Sequence, residues 1–271
     1  MGPPVSICEY HHDILNAWAA IRRARETPMR LITFDFHTDT LPAFNHYALR
    51  KLELDLGRVP TRAEHAALGA RLVAGLDFRS ADSVKNAVAH LRHDEHIDAA
   101  RRAGIISDIA IILSTDAPGN LPSFALVLPA PTPICGVICG VGTPSPTGAD
   151  PKICGVGTPS PTGADPKICG VGTPEQVAAG MLESAVLEPK VAAIAEVWGG
   201  LGEYVVDIDL DFFRSEAAAA PRDATVFCAL LAGAVAVTIA RESRCVLEGR
   251  LEGESITADS LYAQLRSLVS V

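Results

Sequence analysis

Apolar positions along the chain fall into two alternating rhythms. Val5 to Cys8, Met29 to Phe36, Ile105 to Leu113, Phe124 to Leu128, Tyr204 to Phe213 and Ala234 to Ala240 are apolar stretches of strand length. Near-continuous apolar runs of this kind belong to strands buried on both faces. Between them the period lengthens to that of amphipathic helices, over Ile14 to Arg25, Asn45 to Leu56, Ala63 to Ala74, Asp82 to Ala103 with a break, Pro174 to Trp198 and Ala258 to Val269. Local signals agree with these starts: Thr61-Arg-Ala-Glu64 reads as a capping box, and Thr257 caps the last helix. Strand, helix and strand at the amino end form a βαβ unit, which requires parallel strands. The pattern predicts an α/β fold, a three-layer α/β/α sandwich with a mainly parallel central sheet, in a single domain over residues 1–271.

The middle of the chain breaks both rhythms. ICGVGTPSPTGADPK occurs at Ile138 to Lys152 and again at Ile153 to Lys167, and ICGVGTP opens a third copy at Ile168 to Pro174. A 15-residue period rich in Pro, Gly, Ser and Thr is too short and too hostile to helix for a solenoid unit. Residues 131–174 are therefore expected to be an insert, a flexible surface loop. Regularly spaced Cys139, Cys154 and Cys169, with Lys152 and Lys167, offer a functional alternative, contact with an anionic partner. Against it, such a composition cannot build a core.

Charge narrows the partners. Lys and Arg number 23 against 32 Asp and Glu, a net charge of −9, which gives no counterion-release footing on phosphate backbones and argues against nucleic acid. The apolar run from Phe227 to Ala240 is broken by Gly233 and Thr238 and is too short to span a bilayer, so no membrane is expected either. The amino end lacks a basic segment followed by a long apolar one, so no secretory signal is read. Seven cysteines without CxxC spacing read as reduced thiols of a cytoplasmic protein.

Two acidic segments carry the candidate chemistry. DFHTDT runs from Asp35 to Thr40, and YVVDIDLDFF from Tyr204 to Phe213. Asp35, His37 and Asp39 alternate in one, and Asp207, Asp209 and Asp211 in the other; on a strand, alternate side chains share a face. Five carboxylates and an imidazole on apolar strands repel one another unless a cation neutralises them. The alternative, a solvated edge strand and a turn, conflicts with the apolar flanks Leu31, Ile32, Phe34 and Val205, Val206, Ile208. Hard oxygen donors with a minority of nitrogen suit Mn²⁺, and so many acids suggest two ions.

Taken with His12, the order of DFHTD and DIDLD resembles the arginase and deacetylase superfamily, in particular the branch that contains the peptide arginases of ribosomal peptide maturation. The resemblance covers most of the chain outside the repeat and rests on the motifs as a set. It implies that His12 of EYHHD takes the place of a ligand histidine and His11 that of an aspartate beside it, facing substrate. Asp35, His37 and Asp39 match a DxHxD ligand motif. DIDLD fits the third motif in two registers, with Asp209 and Asp211 as ligands if Asp207 stands where that motif has serine, and Asp207 and Asp209 otherwise; the first is preferred. By the same resemblance Asp35 and Asp209 would bridge two Mn²⁺ ions. Glu242 in VTIARES would grip a guanidinium, unless it is a surface acid beside Arg241 and Arg244. His46 would be the proton shuttle, with His65 the fallback. His90, His93 and His96 read as a charged helix face.

The activity so implied is hydrolysis of a guanidinium: Asp39 and a histidine return a proton to the departing amine, and an arginine side chain becomes ornithine plus urea. Where free-arginine arginases carry an asparagine after this motif, the chain has Leu41 and Pro42, with no polar handle for a free α-carboxylate. That favours an arginine-containing peptide as substrate. A small guanidine such as arginine or agmatine is one alternative, and a metal-dependent deacetylase, suggested by the tandem His11-His12, is another. Deacetylases lack the second acid that Asp39 supplies.

If the repeat adds no core, deleting Ile153 to Lys167 should shift the melting temperature by less than about 2 °C, the effect of a surface change of about 0.5 kcal/mol. A larger fall in a thermal melt would mean that the repeat packs.

Overall fold

The computed structural model describes residues 2–115, 123–130 and 181–269. The repeat and the start of the helix expected from Pro174 lie outside them. Six strands, β1 (Val5–Cys8), β2 (Met29–Asp35), β3 (Ile106–Leu113), β4 (Leu126–Leu128), β5 (Tyr204–Asp209) and β6 (Ala236–Ala240), form one sheet in the order β1-β6-β5-β2-β3-β4. Every pairing is parallel, as the two-sided apolar runs require.

Side-chain alternation sorts the strands' residues into two cores. Ile32 and Phe34 of β2, Val206 and Ile208 of β5, and Val237 and Ile239 of β6 face one layer. That layer contains α6 (Ser184–Trp198), α8 (Thr225–Gly233) and α10 (Ala258–Val269). Leu31 and Val205 face the other, built from α1 (Ile14–Arg23), α4 (Ala81–Val88) and α5 (His96–Arg102). The hairpin of α2 (Asn45–Leu56) and α3 (Arg62–Ala74) flanks this second layer, and α7 (Glu216–Ala219) and α9 (Ser243–Gly249) follow β5 and β6. The α/β/α architecture expected from the sequence is the one observed. Among the described residues no helix is long and apolar enough to cross a membrane.

Local chemistry explains the boundaries. Thr61 and Glu64 form the full reciprocal capping box, and Thr257 Oγ1 accepts the Ser260 N–H at 3.1 Å. The helix expected over Asp82 to Ala103 is two helices, parted by the turn 89–95. Three helices, α7, α8 and α9, have no counterpart in the periodicity: α8 lies inside an apolar run, and a helix apolar all round has no amphipathic period. Short α9 likewise had no period to detect.

Strand order places the site. From β2 the chain moves outward through β3 and β4, and from β5 it moves the other way to β6. Between β2 and β5 the direction of winding reverses, and the loops leaving their carboxyl ends diverge to open a crevice. DFHTD leaves the end of β2 and DIDLD the end of β5.

Phe34 holds β2 to the opposite layer, meeting Phe212 and Phe227 edge-on at centroid distances of 5.6 and 5.5 Å. Phe34→Ala should cost about 3–5 kcal/mol in urea unfolding; a loss below about 1 kcal/mol would show that this core does not anchor the strand.

Candidate metal centre

Two storeys of polar side chains rise from the α1/α5 face of the sheet. In the lower one Thr33, Asp207 and Thr238 lie side by side in register across β2, β5 and β6. Asp207 Oδ1 accepts from Thr238 Oγ1 at 2.5 Å, and Oδ2 accepts from Thr33 Oγ1 at 3.1 Å and from His11 Nε2 at 2.7 Å. Trp18 Nε1 donates to Thr238 Oγ1 at 3.2 Å, closing the network against α1. Every member is buried, and Asp207 is fully engaged.

Two residues further along each strand begins the upper storey, where Asp35 ends β2 and Asp209 ends β5. Here the expectation of continuous strands is corrected. β5 stops at Asp209, because the Asp209 carboxylate accepts the Asp211 N–H at 3.2 Å and turns Leu210–Phe212 into a 3₁₀ turn. Likewise Asp35 Oδ1 accepts the His37 N–H at 2.7 Å. These aspartate turns replace the next ladder bond. His37, Asp39 and Asp211 therefore reach the site from loops, not by strand alternation, and Asp39 holds a left-handed backbone with φ 47°.

Among the described residues donor side chains gather in four groups, of which two share the Asp35 carboxylate, a third adds His96 to His11 and Asp39, and the fourth is His46, Asp94 and Glu95. His11, Asp35, Asp39 and Asp209 offer donor atoms within 4.8 Å of one another, all buried; Asp35, His37 and Asp211 form the second group. Of the two registers weighed for DIDLD, the geometry gathers Asp209 and Asp211 and leaves Asp207 beneath them.

The tandem histidines have exchanged places relative to expectation. His11, not His12, enters the buried group; His12 belongs to none of the four and faces a separate pocket beside α2. Both lie in a single 3₁₀ turn, His11–Asp13, where consecutive side chains diverge by about 120°. His11 Nε2 is bound by Asp207, and Nδ1 lies 2.9 Å from Asp39 and 3.1 Å from Asp209 with neither contact aligned as a hydrogen bond. Asp35 Oδ2 and Asp211 Oδ1 are also buried without partners. His12 is held below its ordinary pKa by burial.

Glu242 and His46 also move from their expected roles. Glu242, with φ 37°, accepts the His11 backbone N–H at 2.7 Å and the Cys245 thiol at 3.4 Å, and it is absent from the cleft wall. It fixes the turn that carries His11; β1 and β6 are adjacent, so it lies within reach of that turn. His46 Nδ1 is bound at 2.7 Å by Glu95, whose carboxylate also accepts the His46 and Arg92 backbone N–H groups. His46 thus lines the pocket beside α2 and gathers with Asp94 and Glu95 rather than with the two groups that share Asp35. His65 instead bonds the carbonyl of Asn45 at 2.8 Å and is not gathered into any group.

A cleft of about 380 Å³ opens over the site, lined by His37, Asp39, Leu41, His93, Asp94 and Thr115 among others. Asp94 Oδ1 is buried there without a partner. Of the three histidines read as a charged helix face, His93 lines this cleft and His96 is wholly buried, its ring 4.3 Å from that of His11. Burial and the neighbouring His11 hold His96 well below its usual pKa. Its Nδ1–H donates to the His93 carbonyl at 2.7 Å, leaving Nε2 bare. His96 and Asp94 were missed because a 3.6-residue period read across the break at 89–95 assigns them to the wrong face.

Compared with protein-family models, curated proteins and solved structures, the chain matches none of them.

Burial, reinforced by one another's charge, raises Asp35 and Asp39 above the ordinary carboxylate range and pushes Asp209 up to about 8. Burial opposes charge on His11, yet Asp207 and Asp209 hold its pKa well above normal. In chelator the folded protein therefore keeps protons that the unfolded chain, with carboxylates near pKa 4, has lost. Those protons stabilise it at the acid end of this window, and the contribution is lost as pH rises through about 8. The melting temperature in chelator should fall between about pH 6 and 9, and Asp209→Asn should flatten the fall. A melting temperature that rises over this range would contradict the assignment.

Proposed function

We propose that the chain is a manganese-dependent hydrolase that converts arginine side chains of a peptide to ornithine and urea. The observation that carries this reading is the pair of donor groups joined through Asp35, with His11 Nδ1, Asp35 Oδ2 and Asp211 Oδ1 all buried and unpartnered. Unpaired buried charge on this scale is unstable without a cation. His11, Asp35, Asp39 and Asp209 would hold one Mn²⁺, and Asp35, His37 and Asp211 a second, a donor set rich in oxygen with one imidazole each. The His11 Nε2–H bond to Asp207 supports this, since it directs the Nδ1 lone pair toward the carboxylates. When bound, the ions would supply an acidified water and positive charge at the reacting carbon.

The remaining roles follow from the cleft wall. Asp94, with a bare buried oxygen, is the carboxylate suited to a guanidinium, because a planar cation satisfies such an acid with paired, charge-assisted bonds. His93 and Asp39 line the same wall and are the groups able to pass a proton to the departing amine. Leu41 gives the wall an apolar, half-exposed side chain where a free amino acid would need a polar partner, which favours peptidyl arginine over arginine or agmatine. The resemblance to peptide arginases points the same way. The His11–Asp207 pair also fits the base of a deacetylase-like amidohydrolase, but His11 Nδ1 faces acids rather than the cleft. Cys8, Cys228 and Cys245 are free thiols, which suits a cytoplasmic setting.

The Mn²⁺-loaded protein should release urea from arginine peptides, with lower kcat/KM on free arginine and no acetate from acetyl-lysine peptides. Asp209→Ala should lose bound metal by elemental analysis along with all urea release. Asp94→Asn should keep its metal yet lose about ten- to a hundredfold in kcat/KM, the value of one charged hydrogen bond of about 1.5–3 kcal/mol. Acetate without urea would transfer the chain to the amidohydrolases, and full activity of Asp209→Ala would end the metal reading.

A further inference from the structure

Beside the cleft lies a second pocket, of about 650 Å³, that the reaction does not use. One wall is a face of α2, where His46, Arg50 and Lys51 follow at helical spacing. The facing wall is the turn after α4, with His90 and Arg92, and His12 enters from the turn after β1. Among the described residues Asp55 is the one acid on its lining, and it is paired with Lys51 at 3.1 Å. Among the described residues Arg50 and Arg92 have no ion-pair partner, and His12 Nδ1 is buried without a hydrogen bond.

This concentration of cationic and hydrogen-bonding groups is at odds with the chain as a whole, whose net charge is −9. A long polyanion would be repelled by the rest of the surface, whereas a single carboxylate at the pocket meets a lining on which Arg50, Lys51 and Arg92 outnumber Asp55. The pocket and cleft adjoin along the chain: Leu91 and Arg92 line one, His93 and Asp94 the other. Glu95 fixes the partition between them by bonding both His46 and the Arg92 backbone, and the Asp94 carbonyl accepts the Leu41 N–H at 2.8 Å. A peptide crossing the cleft therefore has this pocket as its neighbour.

We propose that the pocket between α2 and the turn at 89–92 binds the side-chain carboxylate of an Asp or Glu on the substrate peptide, so that acidic peptides are selected. Arg50 and Arg92 are the principal contacts, with the rings of His12 and His46 lining the pocket beside them. The substrate side of this inference rests on the proposed peptide hydrolysis, but binding of an acidic peptide does not.

The test uses full-length Mn²⁺-loaded protein and fluorescein-labelled peptides of alternating Glu and Gly, with and without a central arginine, against counterparts bearing Gln for Glu. Fluorescence anisotropy at low salt should give the arginine-free Glu peptide at least about tenfold tighter binding than its Gln counterpart, about 1.4 kcal/mol. Arg50→Gln/Arg92→Gln should reduce that ratio to about one, while Arg71→Gln, an exposed change on α3 outside the pocket, should preserve it. Both target arginines are exposed, so the double variant is expected to fold, and its melting curve checks this. Equal binding of Glu and Gln peptides, or an unaltered preference in a folded double variant, overturns the proposal. If the preference is seen but no arginine peptide releases urea, the pocket stands and the hydrolase reading fails.

Discussion

Everything at the carboxyl end of this sheet is arranged around one electrostatic problem: Asp35, Asp39 and Asp209 buried about a single imidazole. Loss of water makes ionisation costly and the charges of neighbouring acids, Asp211 foremost, add to it, which is why Asp209 is pushed up to about 8. A lone His11 cannot offset three acids, and one of its nitrogens is already bound to Asp207. The protein tolerates the arrangement because β2, β5 and β6 supply rigid apolar support beneath it. The fully satisfied lower storey of Thr33, Asp207, Thr238 and Trp18 keeps that support from being a second source of unpaired charge.

Two of the three non-glycine left-handed backbones among the described residues, Asp39 and Glu242, lie at the same place; the third, Phe44, opens α2. Asp39 swings its carboxylate back over His11, and Glu242 locks the His11 backbone. Two unfavourable conformations in the loops after different strands, one bonded to His11 and the other in close contact with it, describe a site whose geometry is imposed by its surroundings rather than by local preference. A cleft with one bare acid, Asp94, opens over this site, and a basic pocket lies next door. The same turn, from Arg92 to Glu95, builds a wall of each.

Much of this was legible along the chain. Unbroken apolar runs alternating with helical periods fixed the parallel sandwich, since only strands covered on both faces read that way. Acids inside those runs could not be surface residues, and Asp35, Asp39, Asp207, Asp209 and Asp211 are all buried. The missed helix at Thr225 to Gly233 and the misplaced His96 have one cause: periodicity identifies an amphipathic face and is silent where an element is apolar all round or where a turn resets the phase.

By itself, then, the sequence determined the strands and the amphipathic helices, the buried acids of the two motifs and the turns that capping residues dictate, because these depend on contacts between near neighbours. It could not choose between His11 and His12, between Asp207 and Asp211, or between Glu242 and Asp94, because each choice turns on the direction of a side chain across strands distant in sequence. A 3₁₀ turn rotates one histidine of the pair toward Asp207, an aspartate turn ends β5 at Asp209, and the adjacency of β1 and β6 brings Glu242 under the His11 backbone. Those outcomes were decided by the tertiary structure, where strand register and burial determine which polar atom meets which.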